Sequence, residues 1–302
     1  MEAKQGQGAA VVVGGGTMGE GIASVLVAGG WPVQVVEPHA TGTPENIAGY
    51  AAQRGGAEAS VSVLPALDAV EWPGVSLVIE CVPERLDIKR AVFADLVRLA
   101  PPDSLLTSNS SSFPISDIAA GLETRARMAG LHFFMPAHLV PLVEVVSGPD
   151  TAPATADSLC EIMTALDMRP VHVRKDIPGF LANRMQHALM REALSLAEQG
   201  IASAEDIDAA VQYGFGMRFL GAGPLLQKDL AGLEIHHAAA TTIYPDLCND
   251  TAPVPFIADR VARGDHGVKS GRGFYRWTAE TTRTTRARYE AALTKALAIL
   301  RG

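Results

Sequence analysis

Two groups of residues have the types and spacing to do chemistry. The first is Gly14-Gly15-Gly16-Thr17-Met18-Gly19, a G-x-G-x-x-G turn directly after the apolar run Ala10 to Val13. In such a turn the first glycine allows the tight bend and the second lets a pyrophosphate approach the backbone. The third lets the following helix pack closely on the strand, with its N-terminus facing the anion. Glu37 lies 23 residues beyond Gly14 at the end of a second apolar run, where a carboxylate takes the ribose hydroxyls of a dinucleotide. It would repel a 2′-phosphate, and Pro38, His39 and Ala40 bring no arginine to receive one, so NAD is expected rather than NADP. The second group is His132 with Glu144, each the polar exception in an apolar run, Ala129 to Phe134 and Pro141 to Val146. A carboxylate in a buried strand needs a partner. A histidine would supply it, the carboxylate fixing the imidazole tautomer while the other ring nitrogen accepts a proton. Taken singly, His132 reads as readily as a hydrogen-bonded core histidine, Ser108 to Ser112 as a capped turn before Pro114, and Asn183 as an interdomain hydrogen bond.

These residues need a scaffold, and its pattern is visible. Short β-branched runs alternate with helical segments through the first half: Ala10 to Val13, Val33 to Glu37, Val61 to Val63, Ser76 to Val82, Ser104 to Ser108, Met128 to Phe134 and Leu142 to Val146. Most are continuous rather than alternating in hydrophobicity, as a parallel sheet covered on both faces requires. The expectation is an α/β fold, an N-terminal Rossmann doubly wound sheet followed by an all-α C-terminal domain. Beyond Pro170 the spacing turns helical. Asp176 and Pro178 suggest a helix start, Leu181, Met185, Ala188, Leu189 and Leu196 share one face, and Gly200 stands where the helix would end. Ser203 with Asp206 then matches a capping box for a shorter helix stopping at Gly214, and Thr278 to Arg288 reads as the start of a solvated last helix. The boundary falls between residues 175 and 176, giving a dinucleotide domain 1–175 and a helical domain 176–302.

Composition removes several other classes of function. With 48% hydrophobic and 19% charged residues among 302, the chain buries a core rather than remaining disordered. Its 25 basic residues against 33 acidic ones, without a basic run, argue against nucleic acid. The apolar stretch from Gly21 to Val36 is broken by Gly29, Gly30 and Pro32, so no membrane span is expected, and the N-terminus makes a poor signal peptide. Cys81, Cys160 and Cys248 have no metal-binding or disulfide spacing; no metal is expected, and a reducing cytoplasm fits.

The chain resembles the 3-hydroxyacyl-CoA dehydrogenase family from about residue 10 to residue 277. The resemblance rests on the glycine turn, Ile79-Glu80-Cys81-Val82-Pro83-Glu84, Ser108 to Ser112, Leu131 to Phe134, Leu142 to Val146, Pro178 to Arg184, Gly223-Pro224-Leu225 and Gly271 to Tyr275. It implies His132 as general base, Glu144 as its orienter, and Ser111 and Asn183 as groups binding the substrate oxygen. It also implies that Gly14, Gly16, Thr17, Met18, Gly19, Glu37, Glu84, Lys89 and Asn109 surround the cofactor, and that the helical domain forms a homodimer. The reaction implied is oxidation of a 3-hydroxyacyl-CoA to its 3-oxo form, as in fatty acid metabolism.

Two departures bear on the substrate. Met135 stands where the family usually has Asn, and the segment Pro38 to Ser60, where the CoA enzymes carry a long lysine-containing arm, has Arg54 as its one Lys or Arg. Pro141, Gly216-Met217-Arg218-Phe219 and Asn183-Arg184-Met185-Gln186 look like the branch of L-gulonate dehydrogenase and lambda-crystallin, to which carnitine dehydrogenase is similar. The likeness makes Arg218 a candidate partner for a substrate carboxylate. The readings that follow are a 3-hydroxyacyl-CoA dehydrogenase, a dehydrogenase of a small free 3-hydroxy acid, and a non-catalytic NAD-binding structural protein; retention of Ser111, His132, Glu144 and Asn183 together argues against the last.

Overall fold

The structure, a computed structural model, describes residues 8–39, 43–55 and 59–301. It divides into two units, 1–184 and 185–302, the division falling nine residues beyond residue 175, the boundary drawn from sequence.

The first unit is built on an eight-stranded sheet: β1 (Ala9–Val13), β2 (Val33–Val36), β3 (Val61–Leu64), β4 (Val75–Glu80), β5 (Leu105–Ser108), β6 (Met128–Phe133), β7 (Leu142–Val146) and β8 (Arg169–Val173). Their order is β3-β2-β1-β4-β5-β6-β7-β8. The order reverses between β1 and β4, which is where an open α/β sheet leaves a crevice beyond its strand ends. Helices α1 (Thr17–Ala28), α2 (Thr43–Gln53), α3 (Leu86–Leu99), α4 (Ile115–Ile118) and α5 (Pro153–Ala165) connect the strands.

The period of two along each strand splits the apolar residues into two cores. Ala10 and Val12 join Leu131, Phe133, Val143 and Val145 under α1, α2 and α5. Val11, Val13 and Val78 face the other way with Phe93 and Leu96 of α3 and Ile115 and Ile118 of α4. Continuous valine runs are thus explained by burial on both faces.

One strand pair breaks the parallel rule. β6 and β7 run antiparallel, with His132 directly opposite Glu144. Both point away from the core that holds Leu131, Phe133, Val143 and Val145. A register slip of one residue would send them into that core, so apolar burial on one face fixes the polar pair on the other. The eighth strand was not among the expected runs. Arg169-Pro170-Val171-His172-Val173 carries a proline, and it is tolerated because β8 is an edge strand paired on one side only.

Helix α6 (Ala182–Glu198), most of it in the second unit, starts later than the Asp176 and Pro178 signal suggests, because Asp176 instead accepts the Ser116 amide at 2.9 Å. Gly200 ends it with φ +66°, and Ser203 caps α7 (Ala204–Ala209) by accepting the Asp206 amide at 3.1 Å. The helix does not stop at Gly214 as expected. It continues as a π-helical turn, Ala210–Gly216, and a 3-10 turn, Met217–Leu220. The helices α8 (Pro224–Ala231), α9 (Leu233–Ile243), α10 (Pro255–Ala262) and α11 (Ala279–Arg301) complete this unit.

The turn after β1 shows why its glycines are not equivalent. A Cβ on Gly19 would lie 1.8 Å from the Gly14 carbonyl oxygen, whereas one on Gly16 would meet nothing within 4 Å. Gly19→Ala should therefore force α1 off β1 and cost about 2 kcal/mol or more, lowering the melting temperature by several degrees. Gly16→Ala should melt like the wild type. Equal melting temperatures in thermal scans of the two variants would refute the packing argument.

Candidate active site

The loop after β5 is held from below by a buried ionic network. Glu80, the last residue of β4, and Lys89 on α3 are both fully enclosed, with Lys89 Nζ 2.9 Å from Glu80 Oε1. Lys89 Nζ also lies 3.2 Å from Glu84 Oε2 and donates to the Val82 carbonyl. Glu80 Oε2 accepts from Ser108 Oγ at 2.6 Å. Glu84 Oε1 accepts from Ser110 Oγ and from the amides of Ser111 and Ser112, at 2.6, 3.1 and 2.9 Å. Burial raises the Glu84 carboxyl, but the Ser110 hydrogen bond, the Lys89 charge and the Ser112 amide outweigh it and hold the group below the ordinary carboxylate range.

Three residues expected around the cofactor make these contacts within the protein. Lys89 is enclosed with Glu80 and Glu84. Glu84 organises the serine loop, and Asn109 Oδ1 accepts the Phe133 amide at 2.8 Å, joining that loop to β6. Glu80, which carries the network, was missed by sequence reasoning. Its signal was available: it is a lone carboxylate ending the apolar run Val75 to Ile79.

What the network presents is Ser111, whose Oγ lies 3.1 Å from His132 Nε2. His132 Nδ1 lies 2.8 Å from Glu144 Oε2, the histidine nearly buried and the glutamate wholly so. Glu144 Oε1 accepts the amides of Leu181 and Ala182 at 3.0 and 2.7 Å. Burial alone would raise the Glu144 carboxyl. The hydrogen bonds from His132, Ala182 and Leu181 and the pull of His132 more than offset this, and it too stays below the ordinary range. An ionised Glu144 keeps the proton on Nδ1 and leaves the Nε2 lone pair toward Ser111. The rings of Phe134 and Phe180 lie against the imidazole, with centroids 4.6 and 5.6 Å away. Asn183 follows Ala182 on α6, and its amide makes no side-chain hydrogen bond among the described residues. Ser111, His132, Glu144 and the start of α6 are therefore joined by hydrogen bonds.

At the crevice, Gly14 has φ +106°, and a Cβ there would lie 2.7 Å from the Cys81 carbonyl oxygen. Gly15, which the glycine motif leaves unspecified, is equally constrained, because its Cβ would meet Glu37 Cβ at 2.7 Å. Glu37 accepts the amides of Gly15 at 2.9 Å and His39 at 3.0 Å. Gly16 caps α1 without a side-chain bond, and it and Thr17 are exposed, with nothing within 4 Å of a Cβ at Gly16, while Met18 packs partly buried against the core. Open space above a bare helix N-terminus fits the pyrophosphate of NAD, and Glu37 fits its ribose.

Comparison with known proteins decides the family. Residues 9–177 match the NAD binding domain of 3-hydroxyacyl-CoA dehydrogenase, and residues 179–277 match its C-terminal domain. The chain belongs to the 3-hydroxyacyl-CoA dehydrogenase family. It is an NAD-dependent oxidoreductase acting on CH–OH groups. It is 34% identical to 5-formyl-3-hydroxy-2-methylpyridine 4-carboxylate 5-dehydrogenase of Mesorhizobium japonicum, over 96% of this chain and 97% of that protein. A crystal structure of a dehydrogenase of that name, described as an NAD+-dependent dismutase, superposes with TM-score 0.90 at 32% identity, covering 97% and 98% of the two chains. Lambda-crystallin of Oryctolagus cuniculus is 37% identical over 72% of this chain and 73% of its own, in keeping with the suspected branch.

Further features of this family member are plain in its structure. Met135, in place of the usual Asn, is exposed. Arg218 is exposed in the 3-10 turn of the second unit. All three cysteines are free, no metal cluster occurs among the described residues, and no helix among them is long and apolar enough to cross a membrane.

The two depressed carboxyls make folding sensitive to acid. Their stabilisation is complete above the unfolded value of about 4.3 and is lost as pH falls through their lower folded values. Melting temperature should hold between about pH 7 and 5.5 and fall below about pH 4, and Glu84→Gln should flatten part of that fall. A melting temperature unchanged down to about pH 3 would contradict this.

Proposed function

We propose that this dehydrogenase oxidises a hydroxyl, or the hydrate of a formyl group, on a small free acid rather than on an acyl-CoA. The observation that carries this reading is Arg54. It is the only Lys or Arg between Pro38 and Ser60, and its guanidinium is turned inward, donating to the carbonyls of His138 and Leu166 at 3.0 Å each. A CoA carries several phosphate charges that favour basic partners, and this segment has no second cation to offer. One relative, matched over 97% of its own length, is named for a pyridine carboxylate with a formyl group, which supports a free acid.

In the proposed mechanism His132 Nε2 accepts the hydroxyl proton, Glu144 stabilises the imidazolium that results, and Ser111 Oγ and the Asn183 amide hold the substrate oxygen as charge develops on it. Phe134 and Phe180 keep water from the imidazole. Bound NAD supplies the acceptor for the hydride that leaves the same carbon. Glu37 selects NAD over NADP by charge. Arg218 is the proposed carboxylate partner on the strength of the resemblance alone. Homodimerisation through the helical unit is supported by its surface, where Leu225 and Leu230 are 83% and 77% exposed and Val254 is the one buried hydrophobic among the described residues.

The deciding experiment is NADH formation with 5-formyl-3-hydroxy-2-methylpyridine-4-carboxylate, 3-hydroxybutyrate, gulonate and carnitine against 3-hydroxybutyryl-CoA. Turnover of at least one free acid is expected, with a higher kcat/KM than the thioester; the reverse ranking would restore the CoA reading. His132→Ala should lower kcat by about 10² to 10⁴ while NADH still binds, as followed by its fluorescence. Undiminished turnover in that variant would remove the base from the mechanism.

A further inference from the structure

Glu144 divides its two oxygens between two parts of the site. Oε2 is held by His132 Nδ1 at 2.8 Å, and Oε1 by the amides of Leu181 and Ala182 at 3.0 and 2.7 Å. Those amides belong to the residue before α6 and to its first residue, groups that no intrahelical acceptor can satisfy. A negative charge there is favourable as well, because the helix N-terminus carries partial positive charge. Asn183 is the next residue. We propose that Glu144 is a positioning residue for Asn183 as well as for His132, setting the proton acceptor and the substrate-oxygen donor from one buried carboxylate.

The local backbone is consistent with a turn held from outside. Gly179 has φ +75° and Phe180, a non-glycine residue, has φ +48°, a region that costs an L-residue free energy and persists where surroundings impose it. The ring of Phe180 is buried against His132. Phe180 is thus flanked on one side by the imidazole and followed on the other by the two amides that Glu144 accepts. The carboxylate therefore closes a loop of contacts, from His132 through Phe180 to Leu181 and Ala182 and back through Glu144, and Asn183 extends from that loop. Displacing Glu144 would release the α6 start and with it the Asn183 amide.

The inference rests on the mechanism proposed above, and the two roles of Glu144 separate by chemistry. Glu144→Gln keeps a carbonyl oxygen for the two amides but turns an NH2 toward His132 Nδ1, which forces the proton onto Nε2 and removes the base. Glu144→Ala removes both roles. With 5-formyl-3-hydroxy-2-methylpyridine-4-carboxylate and 3-hydroxybutyrate as probes, both variants should lose kcat, but only Glu144→Ala should raise KM, by about fivefold or more. Asn183→Ala should raise KM similarly, and the double variant Glu144→Ala, Asn183→Ala no further. Hydrogen exchange, followed by mass spectrometry, should accelerate across residues 181–186 in Glu144→Ala and stay at the wild-type rate in Glu144→Gln. Equal KM and equal exchange in the two Glu144 variants, or independent multiplication of the Glu144 and Asn183 effects, overturns the proposal. Should Glu144→Ala not fold, Glu144→Gln decides alone: a KM raised as far as in Asn183→Ala, or accelerated exchange, overturns it. The exchange readout needs no turnover, so a wrong substrate class leaves this test intact.

Discussion

A carboxylate with no exposed surface and no partner would be among the most expensive groups this fold could contain. Glu144 avoids that cost by accepting three donors, one from a side chain across the β6–β7 pair and two from the backbone at the start of α6. Much of the local architecture answers to this requirement. The antiparallel pairing of β6 with β7 brings His132 opposite Glu144. Burial of Leu131, Phe133, Val143 and Val145 in the core on the opposite face anchors the pair. The turn from Pro178 to Leu181 delivers the two amides.

A second buried carboxylate supports the other wall. Glu80 ends β4 beside the crevice and is neutralised by Lys89, which in turn joins Glu84. Glu84 then gathers Ser110, Ser111 and Ser112 around one oxygen. The position of Ser111 Oγ at His132 Nε2 is thus the outcome of a network whose deepest members touch neither histidine nor solvent. Such enclosed ionic groups are weak contributors to net stability but restrictive about geometry, which is what a proton-transfer site requires.

Two residues that resemble cofactor contacts by motif also tie the protein together: Lys89 Nζ donates to Glu80, and Asn109 Oδ1 accepts the Phe133 amide. Conversely, Gly15 occupies a position the glycine motif leaves open and proves restricted by the approach of Glu37. A motif specifies residue types at spacings; whether a side chain points into a crevice or below it depends on the register of strands far apart in the sequence.

The doubly wound sheet, the glycine turn, a carboxylate at Glu37 after the second strand, and the isolation of Glu144 among apolar neighbours were all legible in the sequence. Each follows from local rules: continuous β-branched runs for strands buried on both faces, positive φ for glycine, and the cost of an unpaired buried charge. The eighth strand was hidden because Pro170 is acceptable only at a sheet edge, and an edge is a property of the assembled sheet. Glu80, Lys89 and Glu84 read as separate charges until β4, α3 and the β5 loop meet. The sequence by itself determined that a histidine and a glutamate would need each other. Only the tertiary structure decided which way β6 and β7 run, which oxygen meets the imidazole and which meets α6, because those depend on long-range pairing that no local pattern encodes.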